Sequence, residues 1–155
     1  RFARRFHRFA GAGEVMATHR FAYPSVVESE ERFLNDLAQV AQRERLEEDV
    51  RRAMMLTLSE AFTNALVHGN RLDPAKTVWV EVRVDEATVS AEVADEGNCG
   101  LAELAARPQT GQLDDHGQKI GLIEHFAAEV VFGETLTGGL KVSVRFRRLV
   151  ERTRG

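Results

Sequence analysis

The 155 residues suit one domain with a real core; 43% are hydrophobic and 29% charged, a balance expected of a soluble globular protein. A formal net charge of −3 argues against general affinity for nucleic acid, which needs a basic face. The single cysteine, Cys99, excludes an intrachain disulfide framework and suggests a reducing cytoplasm, and no apolar run reaches the roughly 18 residues of a membrane span.

The chain opens on "RFARRFHR", four arginines among three rings. It reads as a disordered basic leader over residues 1–15, with an amphipathic arm for an acidic partner or a membrane surface as the alternative. The domain is expected over residues 16–150, followed by a short tail at 151–155. "THRFAYP" reads as a strand ended by Pro24. Ser25, with Glu28 three residues on, is expected to cap a helix as a capping box. Val27, Phe33, Leu34, Leu37 and Val40 keep helical spacing through about Ala41. After the polar break "QRERLEED", a second helix is expected from about Glu47 to His68, with Gly69 as its stop.

"TVWVEVRV" alternates well enough to be a strand, "DEA" reads as a turn and "TVSAEVAD" as the returning strand, so the two predict a hairpin. From Gly97 to Gly117 periodicity is lost, apart from a short helical stretch at Leu101 to Ala106. "IGLIEHFAAEV" resumes helical spacing. "EVVFGE" predicts a short strand, "TLTGG" a turn and "LKVSVRFRR" a final strand. The helices are too few to cover both faces of a parallel sheet. The expected fold is therefore α+β, a two-layer sandwich with helices on one face of a mostly antiparallel sheet.

The second helix raises a chemical question. On a wheel of about 100° per residue, Asn64 and His68 follow Glu60 at about 40° and 80°, beside an apolar arc. Polar residues off a core face are ordinary, and periodicity alone favours a solvated stripe. Asn, however, is a poor helix former, and its oxygen suits Mg²⁺. Glu60, one turn earlier, suits a base or an orienting group. Downstream, Asp95 can accept from an exocyclic amine and Gly97 lets a ligand approach the backbone. "GQKIGLI" is a glycine-bearing entry to a helix N-terminus, a ready phosphate site.

Together these motifs resemble the GHKL (Bergerat-fold) ATPases, and among them the anti-sigma-factor serine/threonine kinases. "EAFTNALVHGN" resembles the N box, E-x-x-x-N-A-x-x-H-G. "DEGNCG" resembles the D-x-G-x-G box, "GQKIGLI" the G-x-G-x-G box, and "TGGLKVSVRF" the closing strand. The resemblance spans roughly Thr18 to Arg147. The N box is fairly specific, each glycine box is weak alone, and their order and spacing together are strong.

The resemblance implies that Asn64 ligates Mg²⁺ bridging the phosphates of ATP, and that Glu60 is the base or orienting group for a serine hydroxyl. It implies that Asp95 and Gly97 hold adenine, that Gly117 and Gly121 surround the phosphates, and that Thr137 belongs to the nucleotide site. His68 is part of the motif, and its expected job is to stabilise the helix end. Two positions depart from the pattern. Cys99 stands for a glycine in the first box and Lys119 for the middle glycine of the second. Lys119 either neutralises phosphate charge or obstructs the lid.

The expected function is a cytoplasmic anti-sigma-type regulator, with ATP and Mg²⁺ as cofactors. It would phosphorylate a serine or threonine of an antagonist protein and bind a sigma factor or another regulator, exchanging partners as phosphate is added. Homodimers are common among small members. Direct contact with nucleic acid or membrane is not expected. The alternative is a catalytically degenerate protein-binding module without kinase turnover. A sensor histidine kinase domain fits less well, because no long helix with an exposed acceptor histidine precedes the N box.

Overall fold

A computed structural model describes residues 17–98 and 127–148. Two helices lie against one face of a five-stranded antiparallel sheet, the architecture expected from the sequence. The strands are β1 (Ala17–Pro24), β2 (Thr77–Val84), β3 (Thr88–Ala94), β4 (Glu129–Glu134) and β5 (Leu140–Arg147), in sheet order β1-β2-β3-β5-β4. The helices are α1 (Glu28–Arg43) and α2 (Glu48–Thr63), and α2 runs on into a π-helical segment, Asn64–Gly69.

Strand alternation selects the core. Val78, Val80, Val82 and Val84 of β2, Val89, Ala91 and Val93 of β3, and Val142, Val144 and Phe146 of β5 are buried in one hydrophobic cluster. The helices supply Phe33, Leu37 and Val40 from α1, and Val50, Met54, Leu58, Ala61 and Phe62 from α2. These positions keep the three- and four-residue spacing of an apolar helix stripe. Phe33 and Phe62 stack with centroids 4.2 Å apart, and Tyr23 of β1 meets both rings edge-on. The Tyr23 hydroxyl donates to Asp36 Oδ2 at 2.6 Å. Burial, reinforced by that carboxylate, pushes its pKa far above the ordinary phenol value.

Three expectations change. Ser25 does not cap α1: Val27 occupies the N-cap, and no side-chain cap bond forms there. The fully buried Ser25 hydroxyl donates instead to the Lys76 carbonyl at 2.8 Å, fixing the approach to β2. Glu28, Glu30 and Glu31 give the first turn of α1 a charge that complements its dipole. Val27 and Leu34 share the helical spacing but are exposed.

The second helix does not stay α-helical to His68. From Asn64 each hydrogen-bonded ring holds one more residue, and Asn70 N donates to Ala65 O at 2.8 Å. The simple wheel therefore does not extend past Asn64. Most of the long loop, its short helix and the first seven residues of the helix expected at "IGLIEHFAAEV" lie outside the described residues. The end of that stretch is not helical, because Glu129 and Val130 already belong to β4.

Candidate nucleotide site

Asp95 sits where β3 ends, and it is buried although ionisable. Its backbone N donates to Leu140 O at 3.0 Å. Its Oδ1 accepts from Gly97 N at 2.9 Å and from Leu140 N at 3.1 Å. Two backbone donors thus hold the carboxylate between the β3 exit and the start of β5.

Three glycines make this seat. A Cβ on Gly69 or on Gly139 would run into Asp95, and one on Gly97 would come within 2.5 Å of the Gly69 carbonyl. The end of the π-helical segment, the β3 exit and the β5 entry therefore meet at one carboxylate with no room for a methyl group. The β4–β5 turn completes the seat. Gly138 adopts φ of +86°, which favours glycine. Gly139 N donates to Thr135 Oγ1 at 2.9 Å.

Glu60, Asn64 and His68 lie half-buried along the helix that delivers Gly69 to Asp95. The structure therefore joins the N box to the D-x-G box through Gly69. Thr137 is exposed at the turn, its hydroxyl 3.1 Å from that of Thr135. Gly117, Lys119, Gly121 and Cys99 lie outside the described residues. No group of three or more His, Cys, Asp or Glu side chains suited to a metal occurs among the described residues.

Sequence reasoning passed over Asn70, Thr135 and the packing roles of Gly69 and Gly139. Asn70 is completely buried. Its Nδ2 donates to Ser25 Oγ at 2.8 Å and to Thr77 O at 3.0 Å, and its Oδ1 accepts from Glu96 N at 2.7 Å. Glu96 Oε1 in turn accepts from Thr77 N at 2.7 Å. The one sequence signal was an amide directly after the helix-ending glycine, in "HGN".

Residues 23–146 match the histidine kinase-like ATPase domain. The chain belongs to that family. This ATPase domain is 30% identical over 93 residues to an anti-sigma F factor of Geobacillus sp. (strain WCH70), covering 57% of this chain and 63% of the relative. It is 32% identical over 77 residues to the anti-sigma F factor of Bacillus cytotoxicus, covering 47% and 53%. The alignments thus span less than two thirds of those relatives' length. Among solved structures, the ATPase domain resembles the RsbU and RsbW domains of a Mycobacterium tuberculosis protein. The TM-score is 0.61 at 15% identity, over 86% of this chain and 32% of that one. It also resembles the SiaB–SiaC complex from Pseudomonas aeruginosa, with a TM-score of 0.51 at 17% identity over 86% and 90%. At these identities the likeness establishes the fold: helices on one face of an antiparallel sheet, as in GHKL-type ATPases. No described helix is long and apolar enough to cross a membrane.

Proposed function

We propose that this chain is an anti-sigma-type protein kinase that binds ATP with Mg²⁺ and phosphorylates a serine or threonine of an antagonist protein. The observation that carries the reading is the Asp95 seat. A carboxylate held by two backbone N–H groups and closely bordered by three glycines is a fixed acceptor for an exocyclic amine. Adenine carries such an amine, and small residues around the carboxylate let a flat base come close.

The donor set fits magnesium as well as adenine. Mg²⁺ takes one or two protein oxygens and fills its remaining positions with phosphate and water. The Asn64 amide oxygen would hold it, one helical turn beyond Glu60. When bound, the ion would neutralise phosphate charge. Glu60 would accept the proton of the incoming hydroxyl, or orient that hydroxyl for attack. Gly97 and Asp95 would hold the base, Gly117, Gly121 and Lys119 the phosphates, and Thr137 the turn beside them. His68 would steady the helix end.

The relatives are anti-sigma F factors, which makes a sigma factor the proposed partner and the cytoplasm the proposed compartment. Phosphate placed on the antagonist would add roughly two negative charges and oppose its rebinding, so that the partners exchange.

Isothermal titration with ATP and Mg²⁺ tests the reading. The parent should bind in a Mg²⁺-dependent manner, and Asn64→Ala should lose that dependence while keeping its melting temperature. Equal ATP affinity in both proteins at matched Mg²⁺ would remove Asn64 from the site. A parent that shows no ATP binding would instead be a protein-binding module without turnover, the reading that Cys99 and Lys119 favour by departing from the glycine pattern.

A further inference from the structure

The Asp95 seat is only as fixed as the strand exit that carries it, and that exit is held from behind. Glu96 follows Asp95 directly. Its backbone N–H donates to Asn70 Oδ1 at 2.7 Å, and its side chain accepts from Thr77 N at 2.7 Å. Asn70 follows Gly69, the residue whose Cα lies against the Asp95 carboxylate. One buried side chain therefore ties both walls of the seat together: the helix end through its own backbone, and the strand exit through its amide oxygen.

The network also fixes which way the amide points. Thr77 offers a carbonyl and needs a donor from Asn70, whereas Glu96 offers an N–H and needs an acceptor. Ser25 Oγ, already donating to Lys76 O, accepts the second amide hydrogen. Only an amide satisfies all three partners at once. A carboxylate would set an oxygen against the Thr77 carbonyl, and an aliphatic side chain would leave Glu96 N and Thr77 O without their Asn70 partner.

We infer that Asn70 is a positioning residue for base selectivity: through Glu96 it places the Asp95 carboxylate where an exocyclic amine is accepted and a carbonyl is rejected. The inference rests on the ATP reading given above. Adenine presents an amine at C6 and guanine a carbonyl. A rigid carboxylate favours the first and repels the second, whereas one free to swing discriminates less. Asn70 is completely buried, so its influence on a nucleotide runs through its neighbours.

The test is direct titration of the full chain with Mg²⁺ and, in turn, ATP, GTP and inorganic tripolyphosphate, with affinities corrected for the folded fraction. Asn70→Leu keeps the approximate shape and loses the bonds. It should reduce the ATP-over-GTP preference about tenfold, the scale of one hydrogen bond to a charged group, while tripolyphosphate binding stays unchanged. Asn70→Asp keeps an acceptor for Glu96 N, and Ser25→Ala keeps the Asn70–Glu96 bond. Both should melt at lower temperature yet retain the preference. These two variants also decide the matter should Asn70→Leu not fold, because a lost preference in either overturns the inference. So does an equal fall in all three affinities in Asn70→Leu, which would mark a purely structural role. A parent that does not prefer ATP would overturn the ATP reading itself, and it is recognised before any variant is made.

Discussion

Gly69 ends its helix without the left-handed backbone that usually explains a terminal glycine. Gly138 is the glycine with positive φ among the described residues, and the left-handed positions after Gly69 belong to Arg71 and Leu72. Gly69 is small because Asp95 lies where its Cβ would be. Gly69→Ala should therefore overpack the seat and cost about 1–3 kcal/mol, read as a lower urea midpoint. Gly133→Ala makes the control. A Cβ there meets only the flexible Lys141 side chain, 3.7 Å away, so its effect should stay within about 0.5 kcal/mol. Equal losses in the two variants would show that the Asp95 contact is not what requires glycine. The residue types of the site, an acid followed by glycines, were legible in the sequence. The reason for each glycine was not, because it lies in a neighbour distant along the chain.

At the scale of elements, strands were read closely. β2, β3 and β5 follow "TVWVEVRV", "TVSAEVAD" and "LKVSVRFRR", and β4 the short stretch "EVVFGE", because the face toward the helices takes the apolar residues and a one-residue slip would turn them away from it. Asp85 closes the β2–β3 hairpin as expected of a turn residue, its Oδ1 accepting from Ala87 N and Thr88 N. Helix ends were read less well. α1 finishes in a Schellman-type turn in which Leu46 N donates to Ala41 O at 3.0 Å. The left-handed residue in that turn is Arg45, with φ of 50°. Nothing in "QRERLEED" announces a position that favours glycine. Arg45→Gly should relieve the left-handed strain, partly offset by the greater freedom of glycine in the unfolded chain. A net gain of about 0.5–1 kcal/mol is expected. Chemical denaturation reads it out, and an unchanged or lower stability would show that the arginine side chain contributes more than its backbone costs.

The whole molecule has two unlike sheet faces. One is covered by helices. The other carries Glu81 directly across from Glu92, both buried, with Arg20 and Arg83 paired to Glu81 and the Ser143 hydroxyl 3.5 Å from Glu92. Burial holds the Glu92 pKa above the ordinary carboxylate range. Glu81 adds to the rise, while Lys141, Ser143 and Arg83 oppose it. A raised pKa means that the folded state holds the proton more tightly than the unfolded chain does. The stability this contributes is full below the unfolded pKa and is lost as pH rises through the folded value. Glu92→Gln should therefore raise the melting temperature at neutral pH, with the gain shrinking as pH falls through the raised pKa. Thermal melts across the acid range check the sign, and a variant less stable than the parent at neutral pH would show that its partners outweigh the burial of its charge.

The sequence by itself determined the periodicities, and through them the two-layer fold and the β2–β3 hairpin, and it carried the family motifs, because those signals are local along the chain. Tertiary structure decided what the motifs are for one another. It drew Ser25 away from the end of α1 to the approach to β2 and brought Gly69 against Asp95. It also made Asn70 the tie between a helix end and a strand exit 26 positions away. Such roles depend on which groups meet once the chain has closed. A buried amide that satisfies three partners from three segments has no period, and nothing in its own neighbourhood of the sequence names those partners.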